Sequence, residues 1–249
     1  MATTPVTPAP EAPAAISPIG RLFGVLFSPG KTFDDIVRKP NWLFPAATLV
    51  ILSMIATVVF VQRVDWREVV SQQIEKSPQA AQLSAEQKEQ RVEMGAKVAP
   101  VFGYVAGAVF PVCILLLTAL IMWGAYSLLA GVSPGFKTSF SITAHSFMTA
   151  IISTPIFLLI ILLKPRDAID IENPVATNVA AFLPGEIPKW LFTLAKQIDI
   201  FTIWILILIG IGFAAVNRKK LSTGKAVGIA FSVWILYVVI RTGIAFVFS

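Results

Sequence analysis

Cysteine and histidine are almost missing from this 249-residue chain, each occurring once, as Cys113 and His145. A lone cysteine excludes an intrachain disulfide or a paired-thiol redox or zinc site. A lone histidine excludes a histidine-based metal cluster within one chain. Charge is scarce as well: Asp, Glu, Lys and Arg make up 14% of the residues, against about 25% in a soluble domain. The chain therefore lacks the polar surface that a water-soluble globule needs. The net charge is +6 and the pI about 9.6, yet no Arg/Lys tract is interleaved with polar base-reading residues, which leaves no nucleic-acid partner. A basic start followed by a long apolar run is also missing. Residues 1–18, MATTPVTPAPEAPAAISP, read as a disordered, retained Pro/Ala-rich tail rather than a signal peptide.

What the chain has in quantity is apolar sequence, with 56% of its residues hydrophobic and a mean hydropathy of +0.77. Crossing a hydrocarbon core of about 30 Å takes about 20 apolar residues. Five stretches qualify, at about 43–61, 101–130, 138–163, 200–216 and 226–248, the fourth with an amphipathic lead-in from Pro188. The fold expected is all-α: a polytopic membrane protein with five transmembrane helices, in contact with the lipid bilayer. The second stretch is long enough to tilt, kink at Pro111 or protrude into water.

Ahead of the first span, residues 19–42 form two short segments. Leu22, Phe23, Leu26 and Phe27 share one face, and Phe33, Ile36 and Val37 share another, with Ser28-Pro29 and Pro40 as start and stop signals. Too short to span, they are expected to be N-terminal interfacial amphipathic helices. Residues 62–100 are rich in Gln, Glu and Lys, and Ser84-Ala-Glu-Gln87 resembles a capping box, which predicts a solvated helical arm. The connection 164–199 carries Asp167, Asp170 and Glu172 and then Pro184-Gly-Glu-Ile-Pro188, and is expected to form an ordered cap.

Orientation follows from the short basic segments. Arg21, Lys31, Arg38, Lys39, Lys137, Arg218, Lys219, Lys220 and Lys225 fall on one side, opposed only by Glu11, Asp34 and Asp35. The other side is balanced. These positions predict a cytoplasmic amino terminus and, with an odd number of spans, a carboxyl terminus outside.

Few residues suggest chemistry. Ser28-Pro-Gly-Lys31-Thr32 looks like the end of a phosphate-binding loop, but the upstream glycine is Gly24, one residue out of register, and Pro29 removes an N–H donor. The segment reads as a helix cap, as does its echo at Ser133-Pro-Gly-Phe-Lys137. His145 sits inside the third span with Ser141 and Thr149 on its row, and Arg241 sits inside the fifth. Intramembrane ionisable groups are functional candidates by default. His145 is either a hydrogen-bonded packing residue or a proton or ligand site. Arg241 either pairs with Asp199 or Glu186, reaches the outer headgroups, or meets a substrate. Small residues mark helix-packing faces: Gly103 and Gly107 in the second span, Ser139, Thr143 and Ser146 in the third, and Gly224, Gly228 and Ser232 in the last. They serve contacts within one chain or a homo-oligomer or membrane-protein partner. No catalytic set, metal site or cofactor site can be assembled.

The run Leu26-Phe27-Ser28-Pro29-Gly30-Lys31-Thr32-Phe33, followed by Lys39-Pro40-Asn41-Trp42 and Pro45, resembles the bacterial branch of the Yip1 domain family. Gly135-Phe-Lys-Thr-Ser-Phe-Ser-Ile142 fits the same pattern, and the likeness extends from about Arg21 to the end, with residues 43–249 as the five-helix domain. The resemblance implies an integral membrane protein whose eukaryotic relatives associate with small GTPases and with each other in membrane trafficking. Their Asp-Leu-Tyr-Gly-Pro signature is absent here, so small GTPase binding is not carried over. The function expected is a non-enzymatic membrane scaffold or interaction protein in the plasma membrane of a bacterium. The alternative is a small transporter or channel subunit with a path near His145 and Arg241.

Overall fold

A computed structural model describes residues 15–175, 177–184 and 187–248. Most of the Pro/Ala-rich tail and the centre of the Pro184-to-Pro188 turn, Glu186 included, lie outside the described residues. The fold is all-α. Its helices are α1 (Pro18–Phe27), α2 (Pro29–Arg38), α3 (Leu43–Arg63), α4 (Trp66–Glu75), α5 (Ala85–Ala130), α6 (Phe136–Ser146), α7 (Ala150–Leu163), α8 (Lys189–Gln197), α9 (Ile200–Val216) and α10 (Thr223–Val247). A 3₁₀ turn, Phe147–Thr149, joins α6 to α7. Among the described residues, α3, α5, the combined α6–α7 unit and α10 are long and apolar enough to cross a membrane. The protein is thus polytopic, with four of the five expected spans at membrane length among the described residues. The remaining apolar helix, α9, has 17 residues. It begins at Ile200 because the Asp199 carboxylate accepts from the Phe201 and Thr202 amides, at 2.9 and 3.0 Å, and so starts the helix there.

The arm and the second span are a single 46-residue helix, α5. Ser84 and Gln87 cap its start reciprocally, and Gly131 ends it in the left-handed region at φ 59°. Helix α4 folds back on it, with Val70 packed against Gly95 and Arg67 paired with Glu89. Pro100 and Pro111 both lie inside α5. Pro111 has no N–H to offer the Gly107 carbonyl one turn earlier, and the Ser53 hydroxyl of α3 donates to that carbonyl at 2.9 Å. Helices α3 and α5 come close enough for this because position 107 is glycine: a Cβ there would collide with Thr57.

The main buried core is built from α1, α2, the end of α5, α6, α9 and the start of α10, around Phe33, Ile36, Tyr126, Ile142, Leu208, Phe213 and Ala226. Tyr126 stacks on Phe213 with ring centroids 4.0 Å apart, and its hydroxyl donates to the Ala226 carbonyl at 2.6 Å. Gly210 and Gly212 let α9 approach its neighbours, since a Cβ at Gly210 would lie 2.6 Å from Val227 Cα and one at Gly212 would meet Phe33 and Ile142.

This packing corrects the expected face of α1. Leu22 and Leu26 are buried with Arg21 and Val25, whereas Phe23 and Phe27 turn outward with Ile19. The helix is apolar on two sides, and Arg21 fixes which side turns in. In α2, Phe33 and Ile36 are buried and Val37 packs at the margin. Ser17 caps α1 by accepting from the Gly20 amide at 3.1 Å.

Candidate functional site

Arg21 and Asp35 form a buried ion pair between α1 and α2, with N···O at 2.8 Å and side chains 7% and 3% exposed. Arg21 also donates to the Lys39 carbonyl at 2.9 Å, and Arg38 reaches the second oxygen of Asp35 at 3.2 Å. Burial of two charges is tolerated where the remaining hydrogen-bonding capacity is filled, as here. The adjacent Asp34 pairs with Arg218 at 2.8 Å, tying α2 to the connection between α9 and α10. Lys31 and its loop belong to this hairpin. Thr32 donates its hydroxyl to the Ser28 carbonyl at 3.0 Å, as a helix-start residue does.

His145 lies 1% exposed at the edge of this cluster. Its Nδ1 is 2.8 Å from the Ser141 carbonyl, and since a carbonyl only accepts, Nδ1 carries the proton. Beside it is a void of about 10 Å³ bordered by Arg21, Asn41 and Pro45, about the room one water needs. Sequence reasoning placed His145 with Ser141 and Thr149 and could not see Arg21, more than a hundred positions earlier in the chain, on the same void. Three other polar residues of α6 are self-contained. Ser141, Thr143 and Ser146 donate to the carbonyls four residues back at 2.8, 3.0 and 2.9 Å, while the buried Ser139 hydroxyl has no partner among the described residues.

Arg241 and Asp199 do not meet. Asp199 is turned to its own helix end and also accepts from the Thr177 hydroxyl at 2.6 Å. Arg241 is exposed on α10, with Nη1 3.3 Å from the Tyr237 hydroxyl, and no ion pair joins it to an acid among the described residues. The expected pairing of Arg241 with Asp199 is therefore corrected, since the N-cap role of Asp199 holds its carboxylate away from α10, while Glu186, the other expected partner, lies outside the described residues.

The sequence placed the start of the fourth span at Ile200 after an amphipathic lead-in from Pro188, but it did not announce the pairing found at the break, Ile198–Asp199. Helix α10 runs along both α9 and α8, with Trp190 of α8 edge-on to Phe246 at 6.3 Å. The two shorter helices therefore lie in succession beside one continuous one. At the break the chain pairs with an extended segment: the Val179 amide donates to the Ile198 carbonyl at 3.1 Å and the Ile200 amide to the Thr177 carbonyl at 3.3 Å. Read from composition, this connection is an ordered cap. In the structure, Thr177 and Asp199 line a cavity together with Ser53 at the centre of α3. The only available signal was the Thr177-Asn178 polar pair within an apolar stretch.

The small-residue faces divide in two. Gly103 and Gly107 serve the α3–α5 contact inside the chain, whereas Gly224 and Gly228 of α10 have nothing within 4 Å of where a Cβ would stand. Ser232, the next residue on that row, is exposed and donates to the Gly228 carbonyl at 2.9 Å.

Among the described residues no group of three or more His, Cys, Asp or Glu side chains is placed to hold a metal ion. Comparison with curated proteins and with solved structures gives no match. The polytopic helical architecture and the short motifs around Phe27–Phe33 and Lys39–Trp42 agree with one further finding: residues 23–243 match the Yip1 domain, and the chain belongs to the Yip1 domain family.

Proposed function

We propose that this protein is a non-enzymatic membrane scaffold, seated in the plasma membrane of a bacterium with its amino terminus in the cytoplasm and its carboxyl terminus outside. In this reading α9 is a fifth crossing, completed on the outer side by α8. The scaffold holds a second membrane helix, from another copy or another protein, against α10. The observation that carries the reading is the open Gly224–Gly228–Ser232 face. Lipid supplies no hydrophobic drive for helix association, so small residues promote it by letting backbones approach. Neither nucleic acid nor a small GTPase enters the reading. A transport path through His145 and Arg241 finds little support, since His145 borders only a void of about 10 Å³ and Arg241 lies on the outside of α10.

The test is crosslinking in membranes. In a Cys113→Ala background, Gly228→Cys should give an oxidative dimer or an adduct with a membrane partner, and Gly224→Leu should abolish it. A cysteine at the lipid-facing Leu117 should give none. Equal crosslinking from both positions, or solute flux in liposomes without any adduct, would refute the scaffold reading.

A further inference from the structure

A cavity of about 370 Å³ lies between α3, α7 and the break that precedes α9. That volume is within the range of small-molecule sites. Ser53, which borders it, is the central residue of α3, so the cavity stands beside the middle of a membrane-length helix. At that depth unmatched polar groups are costly and mark function.

Three features define what the cavity would take. First, it contains one carboxylate. Asp199 accepts from two amides and the Thr202 hydroxyl on one oxygen and from the Thr177 hydroxyl on the other, but all of these are neutral dipoles, and no Lys, Arg or His lines the cavity among the described residues. Second, the facing wall carries the hydroxyls of Ser153 and Thr154. Neither has a hydrogen bond among the described residues, although Thr143, Ser146 and Ser232 all bond back to their own helices. Third, Leu49, Phe157 and Phe201 complete it with apolar surface.

We infer that this cavity binds an amphiphile bearing a primary ammonium head, with the head between Asp199 and the Ser153–Thr154 wall and its hydrocarbon chain along Leu49 and Phe157. A primary ammonium has three N–H donors, which match one carboxylate and two hydroxyl lone pairs. A quaternary head has no donor and an alcohol has no charge, so both bind poorly. A head that carries only negative charge is repelled by Asp199. The same head occurs on an amine-headed phospholipid of the bilayer and on a free alkylamine. The inference does not rest on the scaffold reading, because it concerns neither α10 nor any partner.

The test uses the full chain purified in a mild detergent. Native mass spectrometry compares retention of phosphatidylethanolamine with phosphatidylcholine of the same acyl chains, and a titration compares dodecylamine with dodecanol. The amine-headed probe should bind at least about tenfold better, the size expected of one charge-assisted hydrogen bond. Asp199→Asn should abolish that preference while leaving thermal unfolding of the ligand-free protein unchanged, because asparagine caps a helix as well as aspartate. If Asp199→Asn does not fold, Thr154→Leu fills the cavity with Asp199 intact and should lower binding to the same extent. Preference for phosphatidylethanolamine identifies a bilayer lipid as the ligand, and preference for dodecylamine alone identifies a free amphiphile. Equal binding of amine and control probes, or full binding by both variants, overturns the inference.

Discussion

Pro111 takes a hydrogen bond from α5, and the Ser53 hydroxyl restores it from the neighbouring helix. Ser53→Ala should therefore destabilise the protein by about 1 kcal/mol, the usual worth of an interhelical hydrogen bond in a membrane. Pro111→Ala returns the missing N–H and should make the Ser53→Ala change nearly silent, a coupling that chemical denaturation of the four variants in detergent would measure. A second residue-scale prediction concerns the buried pair. Asp35→Asn leaves the Arg21 guanidinium without its counter-charge and should cost about 3 kcal/mol, whereas Arg21→Met with Asp35→Leu should recover most of the loss. Recovery no better than for the single change would show that the pair does more than balance charge. At this scale the sequence was least informative. His145 and Arg241 stood out as ionisable groups in apolar runs, but Arg21 and Asp35, the charges that are most deeply buried, look like ordinary membrane-surface residues in a short amphipathic stretch. Which face of α1 turns inward depends on a partner fourteen residues away, and hydrophobic spacing carries no such information.

Between α3 and α5 the contact depends on a glycine, and the element scale is where that dependence shows. Gly107→Val puts a branched side chain where Thr57 stands and should cost about 1–3 kcal/mol by forcing the two helices apart. Gly228→Val, on the open face of α10, should leave the stability of the isolated chain unchanged. Thermal unfolding of both variants in detergent checks the contrast, and equal losses would mean that α10 is packed on that side too. The long helices were legible because an apolar run of membrane length has few alternatives, and the start of α5 showed its capping box, although the polar arm and the apolar span gave no sign that they form one continuous helix. The interruptions were not. The turn at Phe147–Thr149 falls in a sequence as apolar as its flanks, and the break at Asp199 reads as the start of a span, since hydropathy cannot tell a helix that begins at the membrane surface from one that begins inside.

At the scale of the whole molecule, residue counting predicts an orientation, because the short segments around the main core carry nine basic residues against three acids whereas the two long connections are balanced. In a Cys113→Ala background, a cysteine at Gln82, in the turn before α5, should react with a membrane-impermeant maleimide in intact cells. One at Lys219, between α9 and α10, should react only after lysis. Both positions are exposed in the structure, so the reverse pattern would invert the topology, and labelling of both from outside would remove one crossing. The continuity of α5 has a mechanical consequence. Its contact with α3 at Gly107 lies near its midpoint, with about 33 Å of helix on the arm side and about 35 Å on the other at 1.5 Å per residue. That contact is not a single point: Val61 meets Gly103, Thr57 meets Gly107, and Ala46 packs with Leu115 and Ala119. The same helix therefore carries the capped tip at Ala85, the seam with α3 and the Tyr126 end that holds Phe213 and Ala226, so that its continuity fixes the rotation of the arm relative to the core.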